Sequence, residues 1–98
     1  MRVRILTSAF EDLAAGRAFY EDQGEGLGDY FYDSVFADID SLALYGGIHR
    51  KELSYHRMLA HRFPYAVYYK MEPDQTAVVY RVLDCRQNPR KTRRAMKE

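Results

Sequence analysis

A chain of 98 residues supports one domain with one core, and at that size roughly two-thirds of the surface exposed when unfolded can be buried. An apolar fraction of 47%, with aromatic and β-branched residues throughout, excludes a disordered chain; no apolar stretch approaches the roughly 20 residues that cross a bilayer, which excludes a membrane-spanning protein as the expectation. The net charge of +1 hides a division, because residues 1–50 hold four Arg and Lys against nine Asp and Glu while residues 51–98 hold eleven against five. That asymmetry is a weak hint of a nucleic-acid or polyanion surface on the second half, and two solvated faces are the simpler reading. Arg2 and Arg4 are followed by no apolar run and cleavage site, and Cys85 is the only cysteine, so the expectation is a cytoplasmic protein without disulfide or Cys-rich metal cage. Cys85 reads as a small buried apolar residue on a late strand.

In chain order, Arg2 to Leu6 alternates as a short strand does, and Ser8-Ala9-Phe10-Glu11 matches a capping box that starts a helix near Ala9. Phe10, Leu13, Ala14 and Tyr20 form its apolar face, and Gly24 and Gly26 end it near Gln23 by offering the left-handed backbone region. A second helix starts at Leu27 or Gly28. Its Phe31, Val35, Ile39 and Leu42 recur at spacings of four, four and three, Tyr32, Phe36 and Ala43 widen the stripe, and Gly46-Gly47 ends it. So short a glycine-bearing connection predicts an antiparallel hairpin.

After His49 the period becomes two. Leu53 to Leu59 reads as a strand; Phe63, Tyr65, Val67, Tyr69 and Met71 then share one strand face and Ala66, Tyr68 and Lys70 the other, with Pro64 at the start. Glu72-Pro73-Asp74-Gln75 is a turn into an inner strand, Thr76 to Cys85, that is apolar on both faces. Residues 87–98 are a basic C-terminal tail or short helix. The fold class that follows is α+β in a single domain over residues 1–98: an N-terminal strand, a two-helix antiparallel hairpin, then a three-stranded antiparallel meander whose second face stays partly open.

Several segments resemble one known family in the same order. They are Ala18-Phe19-Tyr20-Glu21, Gly26 to Phe31, Val35 to Ile39, Arg62-Phe63-Pro64-Tyr65-Ala66-Val67-Tyr68-Tyr69, and Val82 to Pro89. Over about residues 8–90 the chain is similar to toxins of the RelE/ParE superfamily, the last two segments being the most specific. The resemblance implies the toxin of a type II toxin–antitoxin pair, held by a cognate antitoxin that wraps it and masks its basic surface. Two targets come with it. ParE-like members inhibit DNA gyrase without nuclease chemistry, whereas RelE-like members enter the ribosome and cut mRNA.

Metal-free RNA cleavage needs a base at the 2′-hydroxyl, cations for the developing phosphorane charge and an acid for the leaving oxygen. In RelE-like nucleases the cations include a strand arginine, which falls here on Ala66, and a strand-end arginine, matched by Arg86; the family's C-terminal tyrosine has no counterpart after Tyr80. The set for cleavage is therefore Arg62, Arg81 and Arg86, and the first expectation is a ParE-like gyrase inhibitor. Arg57, Tyr65, Arg90, Lys91, Arg93 and Arg94 are the expected contacts for target or antitoxin. Tyr55 and Tyr68 are candidates for base stacking. His49, His56 and His61, spaced by seven and five, suit no standard zinc motif, so neither metal nor cofactor is implied; His56 or His61 can serve as acid–base partner to a neighbouring arginine. Asp12, Glu21 and Asp22 read as a solvated polar face.

Overall fold

In a computed structural model, which describes residues 2–97, the helical hairpin covers one face of a five-stranded sheet. The strands are β1 (Val3–Ile5), β2 (Lys51–Glu52), β3 (Tyr55–Leu59), β4 (Tyr65–Met71) and β5 (Ala77–Asp84), in the spatial order β1-β5-β4-β3-β2. β1 runs parallel to β5, and every other pair is antiparallel. The helices are α1 (Thr7–Gln23), α2 (Leu27–Asp40), α3 (Leu42–Tyr45) and α4 (Pro89–Met96). The α+β order expected from sequence is the one observed. A two-residue strand, β2, is added at the edge.

The capping box is not used. α1 begins at Thr7 behind the extended backbone of Leu6 with no side-chain cap, and Ser8 Oγ instead donates to the Tyr80 carbonyl at 2.6 Å, tying the helix to β5. The buried face of α1 is Ala9, Leu13, Gly16 and Tyr20, while Phe10 and Ala14 lie outside it. Gly26 takes the left-handed conformation expected of it, at φ 84°; Gly24 is extended. Glu21, which reads as merely solvated, caps α2 by accepting from the N–H groups of Gly26 and Gly28, where a carboxylate also meets the positive end of the helix.

α2 buries Phe31, Val35 and Ile39 as the spacing predicts, and after a single turn residue, Ser41, which keeps helical dihedrals, α3 carries Leu42 into the core. Ser41 Oγ donates to the Asp38 carbonyl at 2.5 Å, a local bond that competes with the helix ladder. β3 starts two residues later than the sequence suggests. Leu53 and Ser54, at φ 55° and 70°, form a tight two-residue turn that pairs Lys51 with His56, without the Asn-Gly or Asp-Gly that advertises such turns.

The alternation in β4 holds: Tyr65, Val67 and Tyr69 join the main core under the helices, and Ala66 and Tyr68 face away. In β5 the register shifts between the pairs Tyr68–Arg81 and Tyr69–Val79, so Tyr80 is an extra residue and the face parity flips. That bulge lets Val79 and Val82 both point at the helices. The second face is not left open at its centre, because α4 lays Met96 over a smaller cluster of Tyr55, Ala66, Tyr68 and Leu83. Tyr55 and Tyr68 are therefore buried rather than presented for base stacking. Cys85 lies beyond the end of β5, exposed, not in the core; partial burial pushes its thiol pKa up although Arg57 Nη2 approaches it at 3.4 Å. No helix among the described residues is long and apolar enough to cross a membrane.

Candidate functional site

β1 pairs only with Ala77 to Val79, so the rest of β5 forms an open sheet edge with α1 on one side and α4 on the other. Two side chains of the protein partly blunt that edge: Ser8 takes the Tyr80 carbonyl and Asp12 accepts from the Val82 N–H at 2.9 Å. Above it opens a groove of about 540 Å³. Asp12, Ala15, Gly16 and Phe19 of α1 form one wall, Tyr65 and Arg81 to Asp84 the floor, and Gln87, Lys91, Arg94 and Ala95 the other wall.

The groove exists because α1 has small residues there. Gly16 packs so closely that an added Cβ would stand 2.5 Å from the Phe31 ring, and Tyr65 lies beneath it. Tyr65 was expected as an exposed contact, yet its ring is buried. It still lines the groove, with its hydroxyl 3.4 Å from where a Cβ on Gly16 would stand, and burial, reinforced by the Asp84 charge, pushes its pKa up to about 12. At neutral pH it is a neutral hydroxyl, not a base.

Two of the three arginines nominated for catalysis are already occupied. Arg81 makes a two-pronged pair with Asp12, Nε to Oδ2 at 2.7 Å and Nη2 to Oδ1 at 2.8 Å, and its Nη1 donates to the Ala95 carbonyl at 3.0 Å. It is a staple between α1, β5 and α4 rather than a free cation, and Asp12 is not the solvated residue that its helical position suggests. Arg86 is clasped by Asp84, Nε to Oδ1 at 3.0 Å and Nη2 to Oδ2 at 2.8 Å, and also reaches the Tyr20 hydroxyl at 3.3 Å. The guanidinium in turn holds the Asp84 carboxyl below the usual range.

Arg62 is exposed in the β3–β4 loop, away from the groove, and makes no ion pair among the described residues. Beside it His61 is fixed by Asp38, a buried carboxylate that accepts from the His61 backbone N–H at 3.0 Å and from Nδ1 at 2.5 Å. Among the expected contacts, Lys91 and Arg94 stand on the groove wall, exposed and without an ion pair among the described residues. Arg57 and Arg93 line a separate cavity of about 190 Å³ next to Cys85, where Arg57 bonds the Tyr68 hydroxyl and pairs with Glu52. Arg90 lines neither. Sequence reading missed Asp12, Gly16, Phe19 and Gln87; of these only Gly16, a glycine inside a helical pattern, carried a signal of close packing.

His49 and His56 do not meet the groove or each other through a metal-like arrangement. His49 Nδ1 bonds the buried Tyr69 hydroxyl at 2.5 Å, that hydroxyl also accepts from the Gly47 N–H, and His56 donates from Nδ1 to the His49 carbonyl at 2.6 Å. No group of three or more His, Cys, Asp or Glu that could hold a metal ion occurs among the described residues.

Comparison with known proteins adds two findings. The chain matches the family described as ParE toxin of type II toxin-antitoxin system, parDE, over residues 3–89. Among solved structures it is similar to a chain of the chromosomal ParDE TA system from P. aeruginosa, with a TM-score of 0.74 at 15% identity, over 84% of this chain and 92% of that one. At that identity the likeness concerns the fold. No curated protein sequence matches. A family pattern that runs from the first strand, through the helical hairpin and sheet, to the first residue of α4 places this chain in the ParE toxin family of type II toxin–antitoxin systems.

Proposed function

We propose that this toxin is neutralised by a cognate antitoxin and, when freed, arrests growth as a non-catalytic inhibitor of DNA gyrase. The observation that carries the reading is the state of the cations around the groove: Arg81 and Arg86 are each occupied by a carboxylate, whereas Lys91 and Arg94 on the rim make no ion pair among the described residues. A cation that stabilises a phosphorane must be free to meet charge as it develops. Occupied arginines suit binding better than cleavage. A groove whose floor offers Tyr65, Val82 and Leu83 between the paired Arg81 and Asp84, with a cationic rim over an open strand edge, fits an acidic extended segment that carries apolar side chains, the kind an antitoxin can supply.

The test is DNA supercoiling by purified gyrase with the toxin and with a Lys91→Glu/Arg94→Glu variant. Inhibition by the parent chain, relieved by the antitoxin and weakened in the variant, supports the reading. Growth arrest in cells with supercoiling untouched in vitro sinks it.

A ribosome-dependent mRNA endoribonuclease is the second reading, favoured by one observation: Asp38 fixes the exposed His61 ring through Nδ1 at 2.5 Å next to Arg62, which makes no ion pair among the described residues, so an imidazole and a cation stand together at the surface. Primer extension on a reporter mRNA in a translation mixture separates the two. Cuts inside translated codons that vanish in His61→Ala would make the chain a nuclease. With either target the protein acts in the cytoplasm, and the exposed free thiol of Cys85 suits a reducing compartment.

A further inference from the structure

On the outer side of the helical hairpin, Phe10, Tyr32, Asp33, Phe36, Ala37 and Asp40 line a shallow groove of about 400 Å³. The Tyr32 and Phe36 rings stack there with centroids 5.7 Å apart, and Phe10 is 42% exposed. Ser41 keeps right-handed helical dihedrals (φ −62°, ψ −19°), so the helical path continues into α3 and sets Phe36, Asp40 and Leu44 along one line at successive fourth positions. Leu44 is 76% exposed, the most of any large apolar side chain described. Tyr32 and Phe36 also pack against the main core, so what faces water here is the outer part of their rings together with Phe10 and Leu44, an apolar patch of the kind an amphipathic helix docks on.

The charges select the partner. Asp33 and Asp40 are exposed and unpaired among the described residues, and the groove has no cation in its lining. Arg17 lies over the Tyr32 ring at 5.5 Å but is bound to Asp29. A second copy docked about a two-fold axis would set these carboxylates against their own copies. The chain's own basic helix offers no apolar stripe either, since Ala95 and Met96 of α4 are packed against the sheet. Around α1, at about 100° per residue, the residues lining the basic groove fall roughly 140–240° from Phe10, so the two surfaces are separate. We propose that the outer face of α1, α2 and α3 is a second docking surface, one that takes an amphipathic helix of another protein whose apolar stripe is bordered by Lys or Arg.

The test is an NMR titration of the full isotope-labelled chain with two synthetic helical peptides of about 18 residues, five turns, that share a leucine stripe bordered in one by lysine and in the other by glutamate. The lysine peptide should shift the amides of Tyr32, Phe36, Asp40 and Leu44 and bind about tenfold or more tightly than the glutamate peptide, and Asp33→Asn with Asp40→Asn should remove most of that preference. Equal binding of both peptides, or shifts by the lysine peptide confined to residues outside the hairpin, overturns the proposal. So does sedimentation showing that the chain alone associates through these residues, which would make the occupant a second copy.

Discussion

Asp12 collects three hydrogen bonds, two from the Arg81 guanidinium and one from the Val82 N–H, at 14% side-chain exposure. Its replacement by alanine leaves a half-buried guanidinium and a strand N–H unsatisfied, and we expect a loss of about 2–3 kcal/mol, read from urea unfolding. Arg81→Lys should recover only part of what Arg81→Ala loses, because an ammonium cannot make the two-pronged contact. Nothing local distinguishes Asp12 from the other carboxylates of α1, since its partner is 69 residues away and is brought to it by strand register. His49 makes the complementary prediction for pH. Burial first, and the nearby His56 charge second, lower its pKa below the ordinary 6.5, so the folded chain favours the neutral ring that accepts from Tyr69. Its contribution is fully present above pH 6.5 and is lost as pH falls toward the lower folded value, ahead of the carboxylates. Urea midpoints should therefore drop between pH 7 and pH 5 in the parent chain and drop less in His49→Gln; equal slopes would exclude His49 as the cause.

Among the elements, the closest approach is between α1 and α2. A Cβ on Gly16 would meet the Phe31 ring, and one on Gly28 would stand 2.6 Å from the Arg17 backbone oxygen. Ring and backbone yield differently: Gly16→Ala can be relieved by moving Phe31, whereas Gly28→Ala must push the helices apart. We expect losses of about 1–3 kcal/mol for both, with the larger for Gly28→Ala, measured by thermal unfolding. α4 is the other element whose role changes with the structure. As a basic tail it would be dispensable for folding, but Met96 is buried on Tyr55, Ala66, Tyr68 and Leu83, so truncation after Pro89 strips an apolar cover from the sheet. Met96→Ala should cost about 1–3 kcal/mol and raise amide exchange across α4. The period-two pattern of β4 was legible because every one of its residues obeys it. β5 was legible only as an apolar strand, because the bulge at Tyr80 reverses its faces midway and no residue type announces where a bulge falls.

At the scale of the whole molecule, charge is sorted between surfaces: among the described residues, the carboxylates of Asp33 and Asp40 on the hairpin and the cations of Lys91 and Arg94 on α4 make no ion pair. Binding of an acidic segment in the basic groove should weaken steadily as salt rises, and Lys91→Glu/Arg94→Glu should flatten that dependence while leaving the unfolding midpoint nearly unchanged. Isothermal titration with the antitoxin across a salt series checks it; a variant that unfolds early, or a salt slope identical to that of the parent, counts against the groove. The order of strands and helices, the helical hairpin with its core line of Phe31, Val35, Ile39 and Leu42, and the toxin family were all determined by the sequence. They rest on local periodicity, glycine punctuation and short motifs, which act over a few residues. Which arginines are free was decided only by the tertiary structure. Arg81, Arg86, Lys91 and Arg94 are alike as letters in a basic half, and two become occupied because folding sets Asp12 beside Arg81 and a strand end turns Arg86 back onto Asp84. Pairing of charges depends on distances of a few ångströms between distant parts of the chain, and only the packed fold fixes those.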